Sequence, residues 1–159
     1  MSGLLTFLFA FALCPALFAQ TPVAAEPQQP QQPQTALHVL PLMREYLGVK
    51  LGMNRDAVKG TMGETVRAGM DWDEFKLGGS DLMTVHYDDK GVVKTIQLYF
   101  TNPAHAPKWT QVVGNAEIQE KPTGSKYARV ENKEVSFWVA MFQSNTGAVT
   151  TVTLSRSPD

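Results

Sequence analysis

The chain has 159 residues and a nearly balanced charge, 14 Lys and Arg against 15 Asp and Glu. That balance offers no basic footprint for nucleic acid or for an anionic membrane surface. Its one cysteine, Cys14, lies in an apolar leader, so the remainder excludes disulfide staples, thiolate metal sites and cysteine nucleophiles.

Residues 1–19 read as a signal peptide. Leu4 to Phe18 is apolar except for Thr6, and Ala19 precedes polar sequence. A cut after Ala19 fits this pattern, and a second possible cut follows Ala25. No Lys or Arg precedes the run. The alternative is an uncleaved membrane anchor, although the run is shorter than the roughly 20 apolar residues of a spanning helix. Leu13 stands where a lipoprotein signal carries a small residue. The expected location is periplasmic or secreted. Residues 20–36 are rich in Gln and Pro, with Glu26 the only charge. Such a segment buries too little apolar surface to fold and reads as a disordered linker, either a tether or a passive leader. Residues 37–159 suffice for one domain with a modest core.

The first element of that domain is a short helix. Asn54 can cap its free amides, Asp56 suits the positive end of its dipole, and Val58 and Met62 share a face. Gly63 closes it. A strand follows over Thr65 to Leu77, carrying Trp72 and Phe75. Leu82 to Phe100 then alternates with period two around Asp88-Asp89-Lys90-Gly91, which predicts a β-hairpin. In this reading Val92, Ile96, Leu98 and Phe100 share one face, with Lys94 the exception. Val93, Thr95, Gln97 and Tyr99 share the other.

The second half repeats the order. A helix is predicted to start at Pro107 and end at Gly114, containing Trp109, Val112 and Val113. Ala116 to Lys121 runs on toward Tyr127 to Val130 as strand. A second hairpin covers Trp138 to Arg156. A shift of 56 lays Leu82 on Trp138, Gly91 on Gly147 and Leu98 on Leu154 without a gap. A shift of 51 lays Val58 on Trp109 and Gly63 on Gly114. The fold class expected is α+β, with short helices packed on one face of an antiparallel β-sheet. Two tandem copies are expected, about 48–100 and 103–156, each too small to bury its own face.

The stretch Leu51-Gly52-Met53-Asn54-Arg55-Asp56-Ala57-Val58, followed by Met62-Gly63, resembles the start of SmpA/OmlA-type envelope proteins. Trp72, Tyr87 and Asp89-Lys90-Gly91 follow in the order of that group. The wider class is the β-lactamase-inhibitor-protein-like fold, a tandem of helix-plus-sheet units. The resemblance implies helices on one face of an antiparallel sheet and an open face that binds other proteins; it does not imply catalysis. The lipid-bearing cysteine of the outer-membrane members has no counterpart here, and Pro103 to Pro107 replaces the Gly-Met step in the second half.

The candidate partner-binding residues are therefore Trp72, Val93, Thr95, Gln97, Tyr99, Val149, Thr151 and Thr153. Trp109 is expected in the core. Asp71, Asp73 and Glu74 lack the spacing of a calcium loop and read as a solvated acidic stretch. His38, His86 and His105 have no paired spacing, so no metal is expected. Gly78-Gly79-Ser80-Asp81 lacks the flanking glycine of a nucleophile elbow and reads as a loop. The chain reads as an exported, non-catalytic protein-binding module, not an enzyme, needing no cofactor. Its expected partner is another exported or outer-membrane protein, with no nucleic acid and a membrane contact only through an uncleaved signal. The alternatives are a small hydrolase, a small-ligand-binding protein or a purely structural tethered domain.

Overall fold

The computed structural model describes residues 41–157. The signal peptide and linker expected over 1–36, and His38, lie outside the described residues. The fold is α+β and dominated by antiparallel sheet. It starts with a small hairpin, β1 (Glu45–Tyr46) and β2 (Val49–Lys50), then α1 (Arg55–Met62). Four strands follow: β3 (Arg67–Ala68), β4 (Trp72–Gly78), β5 (Asp81–Tyr87) and β6 (Val93–Phe100). After α2 (Trp109–Val113) come β7 (Gln119–Glu120), β8 (Lys126–Asn132), β9 (Phe137–Gln143) and β10 (Thr150–Arg156).

The large sheet has the order β3-β4-β5-β6-β10-β9-β8-β7. The last strand of each half therefore meets at the centre, and the two-residue strands β3 and β7 form the edges. Short edge strands limit stray pairing with other chains. The β5–β6 and β9–β10 registers match at a shift of 56 over Leu82 to His86. Leu82 faces Tyr99 and Val85 faces Ile96 in β5–β6. Trp138 faces Ser155 and Met141 faces Val152 in β9–β10, each position 56 further along. Between β6 and β10, Gln97 faces Thr153, its own counterpart at that shift, and Ile96–Leu154 exchanges with Leu98–Val152.

Local chemistry explains the elements. The Asn54 side chain accepts from the Ala57 amide at 2.8 Å, and the Gly63 amide donates to the Lys59 carbonyl at 2.8 Å, so each end of α1 has a capping bond. The two hairpin turns close alike, with Gly91 N donating to Asp88 O and Gly147 N to Ser144 O, both at 2.9 Å. Both glycines have positive φ, 71° and 72°, which a side chain would strain. The strand expected over Thr65 to Leu77 breaks in two, because Gly69 N donates back to Trp72 O at 2.8 Å and forms a tight turn. The counterpart breaks at Pro122-Thr123-Gly124, where Gly124 N donates to Lys121 O at 2.7 Å.

Pro107 does not start α2. Lys108 is the capping residue, and its amide donates to the Gln111 side chain at 2.8 Å. Proline has no amide hydrogen for that bond, so it sits one residue outside.

The core lies on one side of the sheet. Phe75, Met83, Val85, Ile96, Leu98 and Phe100 from the first half meet Leu154, Val152, Met141, Val139 and Phe137 from the second. Val58 of α1 and Val112 and Val113 of α2 belong to the same buried cluster. Full burial of each such side chain contributes about 1.5–3 kcal/mol. Trp109 is only partly buried at the rim of this cluster.

Candidate functional site: the open sheet face

Among the described residues, strand alternation puts the buried cluster on one side of the sheet and leaves the other side without one. Register aligns its residues into three cross-strand rows. The middle row reads Glu74, Thr84, Gln97, Thr153, Ala140, Arg129. One flank reads Lys76, Leu82, Tyr99, Thr151, Phe142, Tyr127. The other reads Trp72, His86, Thr95, Ser155, Trp138, Glu131. Tyr99 is 41 % exposed and Phe142 39 %. Two strand spacings, about 10 Å, separate them across Thr151. They and half-buried Leu82 and Tyr127 make one apolar band at this end of the face.

Pairing of β6 with β10 brings Thr95, Gln97, Tyr99, Thr151 and Thr153 together here, as the sequence pattern predicts. Thr95 and Ser155 share a hydrogen bond of 2.9 Å between their hydroxyls. Trp72 lies on the same face but is half-buried, because its indole covers the turn at Gly69 so closely that a Cβ there would collide with it.

Two candidate residues depart from the expectation. Val93 is fully buried. A bulge makes Tyr87 face Val93 while His86 faces Thr95, so Lys94 is the extra residue. The strand start is held instead by the 52–53 segment, with Gly52 N donating to Val93 O at 2.9 Å and Val93 N to Met53 O at 2.8 Å. The bulge turns Val93 into the core and Lys94 outward. Val149 lies in the turn before β10, half-buried and off the strand.

Sequence reading missed Leu82, Tyr127 and Phe142 as members of this face. The signal was the register itself, since each sits in a row with a predicted residue. Arg129 stacks on Trp138, its guanidinium carbon 4.3 Å from the ring centre. This stacking holds a cation against an aromatic surface.

The acidic stretch is not solvated, contrary to expectation. Strand alternation buries Asp73 on the core side, fully inaccessible, where Arg55 reaches it twice, Nε to Oδ2 at 2.9 Å and Nη2 to Oδ1 at 2.6 Å. The Tyr87 hydroxyl donates to Oδ2 at 3.1 Å. Burial pushes the Asp73 carboxyl up, but the hydrogen bonds from Arg55 and Tyr87 and the Arg55 charge outweigh it and hold it below the usual range. Burial, then the adjacent Asp73 carboxylate, drive the Tyr87 phenol well above its ordinary value. Glu74, on the open face, is gripped by Arg67 of the edge strand at 2.8 and 2.9 Å. Only Asp71 of the three is exposed. Asp73 and Glu74 are each paired with an arginine, whereas Asp71 lies 3.9 Å from Lys94 Nζ.

Asp81, expected in a loop, opens β5 and is buried. It accepts from the Thr101 amide at 2.8 Å and the Thr101 hydroxyl at 3.1 Å, and contacts His105 Nδ1 at 2.6 Å. The Thr101 hydroxyl and the His105 imidazole thus bond opposite oxygens of one carboxylate. The cluster's chemistry is that of a clamp on the 101–105 loop. His86 sits on the open face of β5, between Trp72 and Thr95. Among the described residues no group of three or more His, Cys, Asp or Glu is arranged to hold a metal ion.

Comparison with protein-family models, with curated proteins and with solved structures finds no match for this chain.

Proposed function

We propose that this protein is an exported, non-catalytic binding module that contacts a protein partner through the open sheet face. One observation carries the reading: exposed Tyr99 and Phe142, flanked by half-buried Leu82 and Tyr127, form an apolar band on a face no part of the described chain covers. Tyr, Trp, Phe and Arg are the residues that interfaces concentrate, and charge is sparse at their centres. The middle of this face is Thr84, Gln97, Thr153 and Ala140. A hydrogen-bonded sheet holds such anchors in place before binding, which lowers the ordering cost of association. The partner is another exported or outer-membrane protein, a reading that rests on the leader sequence of residues 1–19.

We read the two halves as tandem copies of one helix-plus-sheet unit, with the helices on the core side. The pairing that repeats at a shift of 56 supports this. So does the resemblance of Leu51–Gly63 to the SmpA/OmlA-type proteins. The test is affinity capture of tagged protein from its own producing cells. Phe142→Arg and Tyr99→Arg, both on exposed positions, are expected to abolish recovery of a specific partner while the circular dichroism spectrum stays unchanged. Equal recovery by both variants refutes the assignment of this face.

A further inference from the structure

On the opposite side of the sheet, a cleft of about 480 Å³ opens between the β1–β2 hairpin and the starting end of β9. Small-molecule sites commonly enclose about 300–1,000 Å³. Its floor is apolar: Phe137 is buried, Leu51 half-buried, and Val135 at the rim 50 % exposed. Three cations line it: Arg44, Lys50 and Arg156. The Arg44 guanidinium lies over the Phe137 ring, 5.8 Å from its centre, so charge and apolar floor adjoin. Arg156 is tied to Asp88 at 3.5 Å. Lys50 has no carboxylate within salt-bridge distance among the described residues. Glu45 is the one acid in the lining, and it stands across the hairpin from Lys50.

The rim is also conformationally unusual. Ser136 holds a left-handed backbone, φ 47° and ψ 51°, without being glycine. Its carbonyl accepts from Ser157 N at 2.8 Å, and the preceding turn is capped by the Asn132 side chain on Glu134 N at 3.1 Å. Strained backbone held by its surroundings is a feature of binding sites.

We propose that this cleft binds a small amphipathic carboxylate, its apolar body on Phe137, Leu51 and Val135 and its single negative charge between Arg44 and Lys50. Excess positive charge selects an anion, and Glu45 disfavours a dianion. The site is independent of the open face. The test is a titration of the full chain with decanoate, followed by amide chemical shifts. Decanol, with a similar tail and no charge, and acetate, with the charge and no tail, serve as controls. Saturable shifts confined to residues 44–51 and 135–137 are expected for decanoate, with both controls at least tenfold weaker. Arg44→Glu and Lys50→Glu are each expected to weaken decanoate tenfold or more. Val135→Asp, at an exposed rim position, is expected to do the same with the fold intact. Absence of saturation, shifts centred on Tyr99 and Phe142, equal binding of either control, or indifference to these substitutions would each overturn the proposal.

Discussion

Arg55→Ala is the most informative single substitution for stability. Arg55 ties the start of α1 to the β3–β4 turn, donating to Met70 O at 2.7 Å and Gly69 O at 2.9 Å besides its two bonds to Asp73. Its loss strands a carboxylate with no exposed surface. The remaining partners are the Tyr87 hydroxyl and Lys59 Nζ, at 3.9 Å and 44 % exposed. Removing one partner of a buried pair costs about 3–5 kcal/mol. The freed carbonyls of the turn can return to water and add little. For a domain of this size the cost corresponds to a fall in Tm of roughly 10–20 °C. Asp73→Ala should cost less, because the Arg55 side chain is 25 % exposed and keeps its carbonyl partners. The double variant should lie near Asp73→Ala, since no buried charge is then left unpaired.

The pH dependence of the Arg55→Ala deficit follows from the direction of the shift. In the native chain the Asp73 carboxyl is held below its unfolded value. Its contribution is present above the unfolded pKa of about 3.9 and fades as pH falls through the folded value. In Arg55→Ala burial dominates and raises that carboxyl, so the variant loses stability as pH rises. Both effects make the deficit largest at neutral pH. Urea unfolding at pH 7 and pH 4 measures it. A deficit below about 1 kcal/mol at pH 7, the range of exposed pairs, would refute the argument. A deficit equal at both pH values would do the same.

Other substitutions probe separate features. The Thr150 hydroxyl is buried with no hydrogen-bond partner among the described residues. Thr150→Val should therefore stabilise by about 1 kcal/mol, read as a higher urea midpoint; a lower midpoint would show that the hydroxyl is satisfied. Burial raises the Asp81 carboxyl, but bonds from His105 and Thr101 prevail and lower it. Its stabilisation is then full above about pH 4 and lost as pH falls through the folded value. Asp81→Asn should flatten the acid limb of the stability profile, and an unchanged acid limb would count against the clamp.

Local chemistry made the hairpins, the Asn54 cap and the Asp88–Gly91 turn legible in sequence, because each depends on residues a few positions apart. Thr95, Gln97, Tyr99, Thr151 and Thr153 were legible as one face because period two holds along both strands. Val93 was not, because the bulge depends on the distant 52–53 segment. Lys94 carried the warning, a lysine falling in an otherwise apolar register. Asp73 and Glu74 looked solvated because their partners, Arg55 and Arg67, lie 18 and 7 residues away. Phe142 was hidden by composition, since Phe137 to Phe142 is apolar on both faces and its period is blurred. The meeting of β6 with β10 is a long-range pairing that no local pattern encodes.

The central claim is that the open face docks a protein. Its most direct test is a photo-crosslinking amino acid placed singly at Tyr99, Phe142 and Tyr127, and at exposed Thr123 and Lys133 as controls, in producing cells. The account predicts one discrete adduct of the same mass from the three open-face positions and none from the controls. No adduct from the open face, or the same adduct from the controls, would contradict it.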